Sequence, residues 1–122
     1  MKNFNKPIGN LGENIAKDYL INNDYKILDS NFRCYIGEID VIARKNDIIS
    51  FIEVKSRYYN DYGIPREAVT HKKQMTISKV ASYYITKHNL KNYYYSFDVI
   101  ELLFEIYSNN YTLNFIKDAF RV

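Results

Sequence analysis

The sequence predicts an α/β fold in which a mixed β-sheet carries helices on its faces. Apolar residues recur at helical spacing near the N-terminus, three strand-like segments follow, and a second long helical pattern precedes two further strands. The predicted order is therefore α-β-β-β-α-β-β. The 122 residues suffice for one domain with a real core, so we expect a single domain over residues 1–122, with residues 1–7 as a flexible tail.

The first half of the chain is predicted to hold one helix and three strands. Residues 8–22 have apolar side chains three and four positions apart, and asparagines at their end suit the left-handed conformation that often terminates a helix. Residues 25–33 alternate as a strand does. The two most apolar strands lie within residues 37–57, joined by a turn at residues 45–47 that folds them into a hairpin.

The second half is predicted to begin with a loop over residues 58–67, which contain glycine, proline and asparagine. Thr70 is predicted to cap a long helix that ends near Lys87. The helical spacing predicts that five residues face the core: Ile77, Val80, Ala81, Tyr84 and Ile85. Two further strands are predicted at residues 96–105 and 111–116.

Charged residues interrupt the two apolar strands of the predicted hairpin. Asp40 lies in the first strand, and Glu53 and Lys55 lie in the second. Because side chains alternate along a strand, Glu53 and Lys55 face the same side, and the hairpin brings Asp40 near them. Buried charges are costly unless they are paired or bind a metal, so the three residues are predicted to form a functional site. The alternative is a cross-strand ion pair on a solvated face of the sheet.

The oxygen ligands of this group favour Mg²⁺ or Mn²⁺ as the cofactor, because no cysteine or histidine lies nearby. Asp40, Glu53 and the backbone carbonyl of Val54 are the predicted ligands. Glu13, at the border of the apolar stripe of the first helix, is predicted either to supply a third carboxylate or to hold a water on the metal. The alternative for Glu13 is an ordinary acid on the helix surface.

These groups are suited to hydrolysis of a phosphodiester bond. A divalent ion lowers the pKa of water and polarises a phosphate oxygen. Lys55 can orient the attacking water or neutralise charge on the phosphate. Four basic residues are predicted to contact the phosphates of a nucleic acid, with a contribution to solubility alone as the alternative: Arg33, Arg57, Lys72 and Lys73.

Charge is unevenly distributed, because residues 55–91 hold eight basic and two acidic residues while the net charge of the chain is +3. A basic segment beside an acidic cluster suits a polyanionic partner such as DNA, and a solvated helix face is the alternative. No apolar run reaches membrane-spanning length and no secretory signal is visible, so we expect a cytoplasmic protein without membrane contact. The single cysteine, Cys34, excludes a disulfide framework and a cysteine metal cage.

Several motifs occur in the same order as in a known family. Asp40, followed thirteen positions later by Glu53-Val54-Lys55, matches the relaxed PD-(D/E)xK nuclease signature. The motifs around it are Gly12-Glu13-x-x-Ala16, Asn31-x-Arg33, Gly37-Glu38-Ile39-Asp40, Val69-Thr70-x-x-Lys73-Gln74 and Phe97-Asp98-Val99. On these motifs, residues 8–120 resemble the YraN-like family of predicted endonucleases, which is similar in fold to archaeal Holliday junction resolvases and restriction endonucleases.

The resemblance implies a restriction-endonuclease-like mixed sheet flanked by helices and a role in DNA repair or recombination. It implies that Asp40, Glu53 and Lys55 form the catalytic core, with Glu13 as an additional acid. It also implies a catalytic role for Gln74, although a core amide with its hydrogen bonds satisfied would explain that residue as well.

We therefore expect a Mg²⁺-dependent DNA endonuclease, with branched or structured DNA among its substrates. The alternative is a catalytically weak or inert nucleic-acid-binding module that acts as a recruitment or scaffold partner. A homodimer is a third hypothesis, because enzymes that cut DNA junctions act on two strands symmetrically.

Overall fold

The computed structural model describes residues 5–58 and 69–121, with side chains from residue 8 onward. Within these ranges the elements follow the order α-β-β-β-α-β-β, which confirms the predicted fold class. They are α1 (Asn5–Asn22), β1 (Lys26–Arg33), β2 (Glu38–Lys45), β3 (Ile48–Tyr58), α2 (His71–Lys87), β4 (Tyr94–Phe104) and β5 (Tyr111–Ile116).

The strands form a mixed sheet whose spatial order is their order along the chain. β1 with β2, β2 with β3, and β4 with β5 pair antiparallel, whereas β3 and β4 pair parallel because α2 lies in the connection between them. Asn46 and Asp47 form the turn between β2 and β3, and Asn46 has the positive φ of 56° that a tight hairpin turn requires. The predicted hairpin is confirmed.

The buried apolar residues form two cores, one on each face of the sheet. Phe51 and Ile52 are neighbours in β3 and belong to different cores, as the alternation of a strand requires. Ala16 and Leu20 of α1 pack in the core that contains Ile52. The other core contains Phe51 and the α2 residues Ile77, Val80, Ala81 and Tyr84. In the described chain, neither helix is long and apolar enough to cross a membrane.

The predicted boundaries agree closely with α2 and less closely with α1. Thr70 caps α2, and its hydroxyl accepts a hydrogen bond from the backbone N–H of Lys73 at 3.2 Å. Four of the five predicted core residues of α2 are buried, and Ile85 is half-buried. Helix α1 begins at Asn5, so residues 5–7 belong to the helix and not to the expected tail. Residues 1–4 and 59–68, which include most of the predicted loop, lie outside the described residues.

Gly12 allows α1 to approach β3 closely. A Cβ atom at this position would overlap the Ser56 hydroxyl oxygen and would lie 3.0 Å from the Cβ of Ser56 and 3.2 Å from a methyl group of Leu102. Only a glycine fits this contact without a shift of the helix or of Ser56. The close approach brings the following residue, Glu13, toward the end of the sheet where Asp40 lies.

Asp98 attaches the C-terminal segment to β4. It is 1% exposed, and its Oδ1 accepts hydrogen bonds from the Ser96 hydroxyl at 2.5 Å and from the backbone N–H of Asp118 at 2.8 Å. Two residues after Asp118, the ring of Phe120 stacks on Phe97 with centroids 5.2 Å apart. Asp98 therefore has a structural role.

Candidate active site

β2 and β3 separate at the open end of their hairpin. Their paired register stops at Val41 and Ile52, although β2 begins at Glu38 and β3 continues to Tyr58. Beyond this last pair, β2 remains paired with β1 and β3 remains paired with β4. Asp40 is the first residue of β2 beyond the paired part, so it lies at the opening between the two strands.

An irregular stretch of β2 sets the position of Asp40. Ile39 and Ile42 both pack in the core that contains Phe51 and the buried residues of α2. Residues three apart on a regular strand would instead face opposite sides of the sheet. In β1, Asn31 lies between Ser30 and Phe32, which pair with Val41 and Ile39 on either side of Asp40, and its positive φ of 54° departs from extended backbone. Such local irregularities redirect a side chain, and here they occur where an acid enters the opening.

Asp40 crosses the opening and contacts β3. Its Oδ2 accepts a hydrogen bond from the backbone N–H of Val54 at 2.8 Å. The N–H and C=O of one strand residue point to the same edge of the strand, so the Val54 carbonyl also faces the opening. The structure therefore brings the Asp40 carboxylate to Val54 at this edge of β3, and a role of the Val54 carbonyl as a ligand stays a prediction.

Glu53 lies on the α2 face of the sheet and is 6% exposed. One of its carboxylate oxygens lies 3.2 Å from the Nζ of Lys73, in the first turn of α2. Lys55 follows two positions later on the same face, and its positive charge acts to lower the pKa of Glu53. Lys73, predicted as a DNA-binding residue, is thus part of the site itself.

Burial dominates the electrostatics of the two acids. It raises the pKa of Asp40 to about 7, assisted by the negative charges of Glu53 and Glu13. Burial also raises the pKa of Glu53, although Lys73 and Lys55 act in the opposite direction. Both acids therefore hold a proton more readily than a solvent-exposed carboxyl group does.

The lysine of the ion pair responds to the same charges. Partial burial disfavours the Lys73 ammonium group, but the carboxylates of Glu53, Asp40 and Glu38 outweigh this effect and raise the pKa of Lys73. Lys73 therefore remains positively charged and acts as the counter-charge of Glu53.

The donor atoms at the opening fit Mg²⁺ or Mn²⁺. In the described part of the chain, no three His, Cys, Asp or Glu side chains lie close enough together to hold a metal ion, so Glu13 does not complete a three-carboxylate cluster. Mg²⁺ commonly uses one or two carboxylates and completes its shell with water and substrate phosphates. Asp40 and Glu53 are two carboxylates of this kind, and the charge of Glu53 raises the pKa of Asp40.

The family model for the uncharacterised protein family UPF0102 matches residues 12–102. The chain belongs to this family. It is 53% identical over 122 residues to a UPF0102 protein of Clostridium tetani (strain Massachusetts / E88), and 54% identical over 122 residues to one of Clostridium perfringens (strain 13 / Type A). Both alignments cover the whole of each chain. The expected YraN-like family is thereby confirmed.

In this UPF0102 protein, three of the predicted DNA-binding residues lie at the same end of the sheet as Asp40. Arg33 ends β1 and lies 3.7 Å from the Glu38 carboxylate, Lys72 is exposed in the first turn of α2, and Arg57 lies in β3 beyond its pairing with β2. The antiparallel order of β1, β2 and β3 brings the end of β1, the start of β2 and the end of β3 together.

Gln74 makes a structural hydrogen bond. Its Nε2 donates to the backbone carbonyl of Val69 at 2.9 Å, which ties the first turn of α2 to the residue before its cap. This is the satisfied amide that the sequence allowed as an alternative; a catalytic role for Gln74 stays a prediction.

The pairing of Lys73 with Glu53 was not foreseen from the sequence. No spacing pattern in the sequence tells whether a lysine in the first turn of a helix pairs with a buried acid or lies on the surface as a free cation. The Thr70 cap fixes the start of α2, and with it the position of Lys73, but only the packing of α2 on the sheet brings the lysine to Glu53.

Proposed function

We propose that this protein is a metal-dependent DNA endonuclease that hydrolyses phosphodiester bonds. The observation that carries the proposal is the pair of acids at the opening between β2 and β3, half-buried Asp40 and buried Glu53, with Lys55 and Lys73 beside them. Burial of two acids with raised pKa values costs stability, and such a cost is typical of functional sites.

Each residue of the site has a role in this proposal. Asp40, Glu53 and the Val54 carbonyl would hold Mg²⁺ or Mn²⁺. When bound, such an ion would lower the pKa of a coordinated water and stabilise negative charge on a phosphate. Lys55 would orient the attacking water or donate to the phosphate. Lys73 neutralises Glu53 in the absence of a cation.

The expected substrate is DNA, including branched or structured DNA. Arg33, Arg57 and Lys72 would contact backbone phosphates around the opening, because they lie at the same end of the sheet. Glu13 would act through its charge on Asp40 or through water. A cytoplasmic location, where DNA is accessible in bacteria, belongs to the same proposal.

Cleavage of labelled linear, flapped and four-way DNA with Mg²⁺ or Mn²⁺ tests the proposal. Asp40→Asn and Lys55→Ala should each lower the cleavage rate by roughly 100-fold or more, because each removes a group that acts on the reacting phosphate. Asp47→Asn is the matched control, since Asp47 lies in the turn at the opposite end of the same hairpin. Undiminished cleavage by both site variants would contradict the assignment.

One observation favours a second candidate, a catalytically weak or inert DNA-binding module used for recruitment or as a scaffold. Glu53 already has a cationic partner in Lys73, so the acid pair is partly neutralised without a metal. This candidate predicts salt-sensitive DNA binding that needs no divalent ion and survives Glu53→Gln, without cleavage. Sedimentation with and without DNA tests the homodimer, which would be expected of an enzyme that cuts both strands of a symmetric junction.

A further inference from the structure

An exposed aromatic side chain stands beside the site. Tyr35 lies in the connection between β1 and β2, and 88% of it is accessible to solvent. Its ring contacts Tyr83 of α2 edge to face, with centroids 5.9 Å apart and planes at 89°. With so much of the residue exposed, at least one face of the Tyr35 ring is open to solvent.

A series of aromatic contacts connects the Tyr35 ring, through Tyr83, to the core. Tyr83 lies 6.3 Å from Phe32, and Phe32 packs edge to face on the buried Tyr84 at 4.9 Å. Tyr84 stacks in turn on His88 at 4.1 Å. The exposed ring of Tyr35 is therefore in contact with side chains that continue into the core.

Gly37 fixes the connection on α2. A Cβ atom at Gly37 would lie 2.8 Å from a methyl group of Thr76 and 3.5 Å from one of Val80. The absence of a side chain lets the backbone rest directly on the helix, two residues after Tyr35. The backbone that carries Tyr35 is thus held against α2.

Three basic residues lie on the two segments that carry Tyr35 and Tyr83. The Nζ of Lys87 lies 5.9 Å from the centroid of Tyr83, and the exposed Lys79 lies one turn before Tyr83 on α2. Arg33 precedes Tyr35 by two residues and is exposed, with Glu38 as its partner at 3.7 Å. An aromatic ring among basic side chains is complementary to a nucleobase and its phosphates.

The ring lies within a few nucleotides of the acid pair. Lys73, which contacts Glu53, and Tyr83, which contacts Tyr35, are ten residues apart on α2. That separation is about 15 Å along a helix, or roughly four nucleotide steps of about 3.4 Å.

We propose that Tyr35, together with Arg33, Lys79 and Lys87, forms a stacking platform for an unpaired base of the DNA substrate. The proposal rests on the proposed function and names its substrate class: DNA with a single-stranded segment within a few nucleotides of the cleaved bond. A base inside a continuous duplex is stacked on both faces, so neither face is available to the Tyr35 ring. A base in a flap, a fork or a single strand has a free face on which the ring can stack.

The chain contains no tryptophan, so one tryptophan placed at the platform is a unique reporter. Tyr35→Trp should lose most of its fluorescence when oligo(dT) or forked DNA binds in EDTA, because a stacked base quenches the indole. Tyr107→Trp is the matched control, since Tyr107 is 98% exposed in the turn between β4 and β5. Its fluorescence should change little with the same DNA.

Binding of the same DNAs, followed by fluorescence anisotropy, supplies the second measurement. Tyr35→Ala should weaken binding of single-stranded and forked DNA by roughly five- to 100-fold, because stacking of one base is lost. Blunt duplex should bind Tyr35→Ala and wild type alike. Equal loss on all three DNAs, or equal quenching at both tryptophan positions, would overturn the platform.

The outcomes separate this proposal from the proposed function. Cleavage that depends on Asp40 but is accompanied by normal single-strand binding of Tyr35→Ala would overturn the platform alone. Stacking at Tyr35 in a protein that cuts no DNA would support the platform and leave the binding module as the function. Failure of wild type to bind any of the DNAs at low salt would overturn both.

Discussion

The fold strongly changes the ionisation of Asp40. Its pKa of about 7 means that the acid is only partly ionised near neutral pH in the absence of a cation. The same acid keeps its place through the hydrogen bond from the Val54 N–H, which either form of the carboxyl group can accept. A cation at the opening would favour the ionised form, so binding of metal and loss of a proton are coupled.

The raised pKa of Asp40 predicts that ionisation of this acid destabilises the folded chain. The folded state holds the proton up to about pH 7, whereas the unfolded state releases it near pH 3.8. The stability that comes from protonated Asp40 is therefore fully present below pH 3.8 and is lost as the pH rises to about 7. Asp40→Asn should therefore be more stable than wild type at pH 8 in EDTA, by on the order of 4 kcal/mol. Below pH 4 the difference should be much smaller.

Urea unfolding followed by circular dichroism between pH 4 and pH 8 checks this prediction. Asp47→Asn serves as the control because Asp47 lies in the turn of the same hairpin, away from the opening. A stability difference between wild type and Asp40→Asn that stays constant over this pH range would contradict the assignment of the titration to Asp40.

Lys73 is predicted to compete with a divalent ion for Glu53. The ammonium group of Lys73 lies 3.2 Å from the Glu53 carboxylate. A metal ion bound by Glu53 must therefore displace this ammonium group or be repelled by its charge. Lys73→Ala should bind Mn²⁺ roughly tenfold more tightly at pH 8, which corresponds to about 1.4 kcal/mol of removed repulsion. Lys72→Ala changes the neighbouring exposed lysine and should have little effect. Calorimetry measures both affinities, and unchanged or weaker binding by Lys73→Ala would refute the competition.

At the scale of elements, the contact of α1 with β3 depends on two small residues. Gly12 leaves no room for a Cβ, and Ser56 is the residue that such an atom would meet first. In the described chain, the Ser56 hydroxyl oxygen is buried without a hydrogen-bond partner. The close contact of α1 with β3 therefore includes a buried hydroxyl group without a hydrogen bond, which costs stability.

Gly12→Ala is predicted to destabilise the protein by about 1–3 kcal/mol, because the added methyl group forces α1 away from β3. Gly9→Ala is the matched control on the same helix, since a Cβ there meets nothing within 4 Å. It should be neutral or stabilising by up to about 1 kcal/mol through helix propensity. Thermal unfolding compares the two variants, and adding Ser56→Gly to Gly12→Ala should recover part of the loss. Equal stability of the two alanine variants would show that α1 can shift at no cost.

At the scale of the whole molecule, the elements were predictable because their signals are local. The turn at residues 45–47, the cap at Thr70 and the strand at residues 111–116 each depend on a few neighbouring residues, and each is found in the structure. The start of α1 was less predictable, since residues 5–7 carry no apolar pattern that would distinguish a helix from a tail. Helix ends are where local signals are weakest.

The candidate site was predictable only in part, for the same reason. Asp40, Val54 and Glu53 belong to one hairpin, so the alternation of its strands was enough to group them. The contacts of Lys73 with Glu53 and of Tyr35 with Tyr83 join α2 to residues of the strands and their connections. No pattern in the sequence specifies which side chains of a helix meet which residues of a sheet.

The hairpin that carries both acids also has a consequence for how the protein is made. It closes through a two-residue turn, so its strands can pair within microseconds and before the rest of the chain has left the ribosome. Lys73 and the parallel partner β4 come later in synthesis and require long-range closure, which is slower. Asp40, Glu53 and Lys55 therefore come from one hairpin, whereas Lys73 joins them only when α2 packs on the sheet. Before that step, Lys55 is the lysine of the hairpin that offsets the charge of Glu53.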